Sequence, residues 1–161
     1  MAVSVADLLE RNKTIEHSPA FYVSELQAAN WEGISTLIVT FGEVFVHRNM
    51  GGSVKTALRD IVTADTLFPT LKEICIIHHT DCGTTHVKEA AVKQHIKNTT
   101  KEDADIDIYT ITGSIEESIQ ADLEWVRNSP YLREELKKNA QGFFYDIKTG
   151  LVTKVEPKIP L

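Results

Sequence analysis

The sequence predicts an α/β protein in which helices flank a mostly parallel central sheet and the chain ends in a hairpin. Segments with strand character alternate with segments of helical periodicity, which is the pattern of this fold class. Residues 72–79 are apolar on both faces, as expected for a strand inside a parallel sheet. Two strand patterns over 143–147 and 151–155 enclose Lys148-Thr149-Gly150, which predicts the hairpin. With 161 residues and neither a linker nor an internal repeat, residues 1–161 are expected to form one domain.

The individual elements follow from apolar spacing and from start signals. In the first half of the chain we expect an N-terminal helical arm over 1–32, with helices over 2–11 and from Ser18-Pro19, then a strand over 36–49 and a helix from Ser53 to Pro69. A strand over 72–79 and a helix over 86–98 follow, and this helix is expected to turn Val87, Ala90, Ala91 and Ile96 inward. The last two helices are expected to begin at Ser114 and at Ser129-Pro130. The first strand is β-branched and aromatic, interrupted only by Gly42. Ser53 is expected to cap its helix, and Ser114-Ile-Glu-Glu117 is a capping box. Proline in the first turn marks the two other starts.

Composition excludes several classes of function. The net charge is −6 with scattered Lys and Arg, so no nucleic-acid partner is expected. No apolar run approaches the ~20 residues that span a bilayer, and the N-terminus lacks a basic leader before an apolar core, so we expect no membrane partner. Two cysteines make no disulfide framework, which favours a cytoplasmic location.

The segment I-C-I-I-H-H-T-D-C-G over 74–83 carries the most specific chemistry in the chain. His79 and Cys82 lie at the carboxyl end of a predicted strand, where ligand sites of α/β sheets occur. An imidazole and a thiolate are zinc ligands, usually within a set of three or four protein groups. The His-x-x-Cys spacing alone also fits a core strand that ends in a polar turn.

Four segments together resemble one family. Residues 76–83 closely resemble the zinc-binding strand end of the β-class carbonic anhydrases. Residues 46–52, with Arg48-Asn-Met-Gly-Gly52, resemble the family's Arg-Asn-Ala-Gly turn. Residues 142–150 resemble its C-terminal hairpin, and 129–132 the segment before it. The segments come in the family's order and cover most of the chain.

The resemblance implies a set of functional expectations. The family reversibly hydrates CO₂ to bicarbonate on zinc, and its members are dimers or tetramers. His79 and Cys82 fall on the second and third zinc ligands of the family. Gly83 falls on the residue whose backbone N–H faces the substrate, and Asp81 on an acidic residue that supports the turn. We therefore expect one zinc per chain if the site is complete, a CO₂- or bicarbonate-like substrate, and a homodimer or homotetramer.

The family's first zinc ligand is a cysteine in a Cys-x-Asp-x-Arg motif, and this chain lacks that motif. No Cys, Asp or Arg occurs between Trp31 and Phe45. Because parallel neighbours need a crossover of roughly a dozen residues, residues 36–48 cannot form the family's first two strands in their usual arrangement. They form one long strand, a tight hairpin about Phe41-Gly42, or a partly disordered segment. We favour one strand in the vacated position, which would bring His47 near the lost cysteine as a third ligand.

Other residues fit a third ligand less well. Cys75 lies four residues before His79, about 13 Å along a strand, and is expected to be a core residue. His86 is a possible ligand from the start of the following helix, whereas His95 lies too far along that helix.

Three functional hypotheses remain open on the sequence. The first is a working zinc lyase with a rebuilt site, acting on CO₂ or a similar small electrophile. The second is a catalytically defective member that acts as a binding, regulatory or hetero-oligomer subunit. The third is an enzyme that uses Cys82 as a nucleophile beside His79. A mis-spliced coding sequence would also explain the lost segment.

Overall fold

The computed structural model describes residues 46–158 together with four residues of the N-terminal part, Ala6, Leu9, Glu10 and Lys13. These four have helical backbone, and the Lys13 ammonium contacts the Glu10 carboxylate at 2.7 Å. The predicted helical arm is otherwise outside the described residues, as is the predicted strand over 36–45. Residues 46–49, which complete that predicted strand, have no regular secondary structure.

Three strands form one sheet in the part of the chain that the structure describes. They are β1 (Ile74–His79), β2 (Ala140–Tyr145) and β3 (Val152–Val155), in the order β1-β2-β3. β1 and β2 are parallel, whereas β2 and β3 are antiparallel and form the predicted C-terminal hairpin. The mixture of one parallel and one antiparallel pair makes this sheet partly parallel.

Within residues 46–158, four helices flank the sheet, which confirms the α/β prediction. They are α1 (Val54–Leu67), α2 (Glu89–Thr100), α3 (Ile115–Asn128) and α4 (Glu134–Lys138). Short 3₁₀ turns lie at Met50–Gly52 and Gly83–Thr85. Within residues 46–158, no helix is long and apolar enough to cross a membrane.

The core lies where α3 packs across all three strands and against α1. Helical spacing places Ile119, Leu123 and Val126 on one face of α3, and all three are fully or almost fully buried. The central buried cluster consists of Val54, Ile76, Ile119, Leu123, Val126, Leu132, Ala140 and Val155. The predicted capping box starts α3, because Ser114 Oγ accepts from the Glu117 N–H (3.1 Å) and Glu117 Oε2 accepts from the Ser114 N–H (3.0 Å).

The prediction that Cys75 is a core residue is wrong. β1 begins at Ile74, two residues later than predicted, and only its Ile76 and His78 face is buried. Cys75 and Ile77 are exposed on the other face. An apolar pattern on both faces predicts an internal strand, but β1 lies at the edge of the described sheet.

Predictions about two helices also need correction. The helix expected over 86–98 begins only at Glu89, and α2 buries none of its residues, so its expected inward face is not packed. The helix expected from Ser129 begins at Glu134. Ser129 is instead the C-cap of α3, and Pro130 follows it because proline cannot continue a helix.

The predicted cap of α1 differs in chemistry rather than in position. Ser53 is the N-cap residue, yet its hydroxyl forms no capping hydrogen bond. The free N–H of Val54 donates instead to Oδ1 of Asp122, from α3, at 3.3 Å. A hydrogen bond from α1 to Asp122 on α3 thus caps the start of α1, where we expected the Ser53 side chain to do so.

Candidate active site

The predicted functional residues lie in the turn that follows β1. The Thr80 N–H donates to the Tyr145 carbonyl at 2.9 Å, so pairing with β2 continues one residue beyond the strand. Asp81 then adopts a positive φ of 51°, a conformation that short polar side chains tolerate better than most. Its Oδ1 atom lies 2.7 Å from Nε2 of His86, and this contact closes the turn.

Cys82 is held at the buried start of the next turn. The residue is 6% exposed, and its Sγ atom lies 3.1 Å from Oγ1 of Thr84. Its carbonyl accepts from both the N–H (2.9 Å) and the hydroxyl (2.7 Å) of Thr85. These bonds fix the backbone around the thiol.

His79 and Cys82 interact with one another. The His79 Nδ1 atom lies 2.9 Å from the Thr80 carbonyl, which can only accept, so Nδ1 carries a hydrogen and Nε2 has the lone pair of the neutral ring. The hydrogen bond with Cys82 is the main cause of a raised pKa of His79. Burial raises the pKa of Cys82, but the hydrogen bonds from His79 and Thr84 outweigh it and lower that pKa to about 7. The pair therefore favours an imidazolium beside a thiolate.

The space above Gly83 is open. A Cβ atom added there would meet no heavy atom of the described residues within 4 Å, and the residue does not have a positive φ. Neither packing nor backbone conformation therefore requires glycine at this position. A small molecule has room to approach the turn from this side.

The Met50–Gly52 turn, whose motif lies far from the His-Cys segment in sequence, packs directly on it. A Cβ atom on Gly51 would lie 3.0 Å from Thr84 Oγ1 and 2.8 Å from Cε1 of Tyr109. A Cβ atom on Gly52 would lie 2.6 Å from the His78 ring. Both glycines have positive φ, 75° and 73°, so both conformation and contact demand glycine here. The fold thus brings two of the sequence motifs together.

His47 contacts helix α1 rather than His79 or Cys82. Its Nδ1 atom lies 3.4 Å from Oδ2 of Asp60, on α1. Across residues 46–158, no three His, Cys, Asp or Glu side chains are grouped so as to hold a metal. A catalytic zinc takes three protein ligands and an open position. The family resemblance assigns two ligands among the described residues, His79 and Cys82, and this pair alone does not make a complete zinc site.

Sequence reasoning did not identify a buried polar cluster behind the strand end. His78 Nδ1 lies 2.7 Å from Ser118 Oγ, and His78 Nε2 lies 3.2 Å from both Asp122 Oδ2 and the Gly52 carbonyl. A signal was present in the sequence: Ser118 and Asp122 are polar residues four apart on the side of α3 that carries Ile119 and Leu123. Polar residues on an apolar stripe indicate a buried partner.

These features define an α/β protein with an imidazole–thiol pair at the carboxyl end of a parallel strand. Comparison with family models and with curated proteins finds no match. Solved structures do match. A carbonic anhydrase from Streptococcus mutans has a TM-score of 0.64 and 26% identity, covering 97% of this chain and 100% of that one. A carbonic anhydrase from Glaciozyma antarctica has a TM-score of 0.59 and 25% identity over 68% of this chain and 65% of that one.

A third match is the apo form of a carbon disulfide hydrolase, with a TM-score of 0.57 and 22% identity over 71% of this chain and 67% of that one. At that identity the likeness concerns the fold alone. The chain is accordingly a β-carbonic anhydrase-like protein, which confirms the family predicted from its motifs.

Proposed function

We propose that this protein is a lyase that reversibly adds water to CO₂, or to a similar small electrophile such as a carbon–sulfur oxide, at the carboxyl end of β1. The observation that carries the proposal is the turn after β1, which places His79 at the strand end and the buried Cys82 three residues later, beside the open space over Gly83. The neighbour named as a carbon disulfide hydrolase supports keeping sulfur analogues in the substrate class.

The residues of the turn have separate roles in this proposal. The Gly83 N–H faces the substrate, and the open space above it admits a molecule of a few atoms. Asp81 supports the turn through its contact with His86. His79 Nε2 and the Cys82 thiolate are the two zinc ligands, and a bound zinc would supply a hydroxide at neutral pH.

We propose His47 as the third ligand. Residues 46–49 have no regular structure, and the contact of His47 with Asp60 is partly exposed, so little opposes its release. The chain must then carry His47 from α1 toward the strand end. The Met50–Gly52 turn, which already lies against that end, is the pivot for this movement.

The test is zinc per chain, measured by elemental analysis of protein purified without chelator or histidine tag, together with stopped-flow CO₂ hydration. Wild type and Cys75→Ser are expected to carry about one zinc and to share the same activity. Cys82→Ser is expected to lose both. His47→Ala removes a direct ligand and is expected to weaken zinc binding by more than the ~10–100-fold that follows loss of a partner hydrogen-bonded to a ligand. A zinc content near zero after zinc is offered and the excess removed would contradict the proposal.

A catalytically defective subunit is the second candidate, and it is favoured because no third His, Cys, Asp or Glu side chain is grouped with His79 and Cys82 among residues 46–158. Such a subunit would assemble without zinc and would bind a complete homologue. Light scattering of metal-free protein, alone and mixed with a complete β-carbonic anhydrase, tests this candidate. For the chain alone we propose a homodimer or homotetramer. A mixed oligomer with the complete β-carbonic anhydrase would favour a regulatory or hetero-oligomer role.

A thiol-based enzyme is the third candidate, and the lowered pKa of Cys82 favours it. It predicts that activity survives zinc removal and disappears on alkylation of Cys82. If the metal-free protein is inactive toward electrophilic substrates while the zinc form is active, this candidate fails.

A further inference from the structure

The cluster of His78, Ser118 and Asp122 joins four parts of the molecule behind the candidate site. The three residues are 2%, 9% and 6% exposed. His78 lies on β1, directly before His79, while Ser118 and Asp122 come from adjacent turns of α3. Asp122 Oδ1 also accepts from the Val54 N–H at the start of α1, and His78 Nε2 bonds to the Gly52 carbonyl.

The composition of the cluster is that of a Ser-His-Asp triad, but its geometry is not that of a nucleophile. Ser118 Oγ donates to the Ile115 carbonyl (2.9 Å) and therefore accepts from His78 Nδ1. The Nε2 atom faces two acceptors, the carboxylate of Asp122 and the Gly52 carbonyl. A triad serine directs its hydroxyl hydrogen at the histidine, whereas Ser118 directs it at the Ile115 carbonyl. The cluster is a hydrogen-bonded brace.

Short contacts connect this brace to the thiol. The His78 ring lies directly under Gly52, and the adjacent Gly51 lies against the Thr84 hydroxyl. That hydroxyl lies 3.1 Å from Cys82 Sγ. Neither glycine has room for a side chain, because a Cβ atom on Gly51 would lie 3.0 Å from Thr84 Oγ1 and one on Gly52 would lie 2.6 Å from the His78 ring. The Met50–Gly52 turn is therefore packed between the His78 ring and the Thr84 hydroxyl that contacts the thiol.

We propose that Ser118, His78 and Asp122 are positioning residues, which hold the Met50–Gly52 turn against the strand end and so fix the Thr84 hydroxyl on Cys82. The inference rests on the proposed function only in taking the His79–Cys82 pair as the site. Neither resemblance nor local pattern assigns the three residues a role.

The test compares two buried serines of the same helix. Ser118→Ala removes a partner of His78, whereas Ser129→Ala makes the same chemical change at the other end of α3, where Ser129 is 3% exposed. His78→Asn is the stronger variant. The readout is the alkylation rate of Cys82 relative to Cys75 at one fixed pH, in metal-free full-length protein, with peptide mass spectrometry to separate the two thiols. The NOE between Gly51 and the Thr84 methyl reports the geometry directly.

We expect Ser118→Ala and His78→Asn to lower the Cys82/Cys75 rate ratio about three- to tenfold, because a hydrogen bond to the thiolate is lost. The Gly51–Thr84 NOE should weaken in the same variants, and Ser129→Ala should change neither quantity. The proposal is overturned if the ratio and the NOE keep their wild-type values in a folded His78→Asn protein. If His78→Asn does not fold, Ser118→Ala decides alone. Since the readout needs neither zinc nor turnover, its failure is distinct from failure of the proposed lyase activity.

Discussion

At the scale of single residues, the buried cysteine has the lower thiol pKa and the exposed cysteine the higher one. Cys82 is buried, yet contacts with His79 and Thr84 lower its pKa to about 7. Cys75 is exposed as a residue, but desolvation of its thiol, with a contribution from the charge of Glu73, raises its pKa to about 11. Local hydrogen bonding, rather than access to solvent, decides which thiol is ionised.

We therefore expect iodoacetamide to modify Cys82 faster than Cys75 at neutral pH. The thiolate fractions differ by about 10⁴, and the lower intrinsic nucleophilicity of the more acidic thiolate reduces the advantage to about 10²-fold. Because the pKa of Cys82 is lowered, its rate should rise with pH up to about 7 and then level off. Time-resolved peptide mapping of metal-free protein measures both rates. Faster labelling of Cys75 would show that exposure governs reactivity.

At the scale of elements, two helices begin at serines whose side chains do different things. Ser114 closes a capping box with Glu117 at the start of α3. Ser53 precedes α1, but its hydroxyl is buried and has no hydrogen-bond partner in the part of the chain that the structure describes. The sequence contains the distinction, because glutamate stands three residues after Ser114 while threonine stands three residues after Ser53.

Alanine at these two positions should have unequal effects. Ser114→Ala removes a made capping bond and should lower the free energy of unfolding by about 1 kcal/mol. Ser53→Ala removes a hydroxyl that was desolvated without compensation, so stability should stay the same or rise. Urea denaturation with a common m-value measures both changes. Equal losses in the two variants would mean that Ser53 makes a bond on which α1 depends.

Local pattern predicted the elements that depend on local interactions. The start and the apolar stripe of α3 follow from the capping box and from helical spacing, and the hairpin follows from its turn. The start of α2 and the exposure of Cys75 depend on what packs against them, which periodicity does not report. The turn with His79 and Cys82 was found from its motif.

The brace behind that turn was not found. Its members are 40 and 44 residues apart along the chain, and only the three-dimensional fold brings them together.

At the scale of the whole molecule, the site depends on how closely α3 approaches the sheet. The chain leaves β1, passes through α2, α3 and α4, and returns as β2 parallel to β1. α3 packs on both strands and carries Ser118 and Asp122 to the back of the strand end. Gly142 in β2 permits this approach, because a Cβ atom there would overlap Cγ2 of Ile119 and lie 2.9 Å from Cδ1 of Leu123.

Replacement of Gly142 or Gly83 by alanine tests packing and function separately, because each change adds one methyl group in a different environment. Gly142→Ala should force α3 away from the sheet and lower the free energy of unfolding by about 1–3 kcal/mol, the cost of overpacking a core. Gly83→Ala adds the same group in open space at a residue without positive φ, so stability should stay the same or rise by ~0.4–1 kcal/mol. If the Gly83 N–H faces the substrate, that second variant should nevertheless lose CO₂ hydration while keeping its zinc.

Urea denaturation, zinc content and stopped-flow hydration on both variants measure these outcomes. Full hydration activity in Gly83→Ala would place the substrate away from this turn, and an unchanged stability in Gly142→Ala would mean that α3 does not lie as close to the sheet as the contacts at Ile119 and Leu123 require.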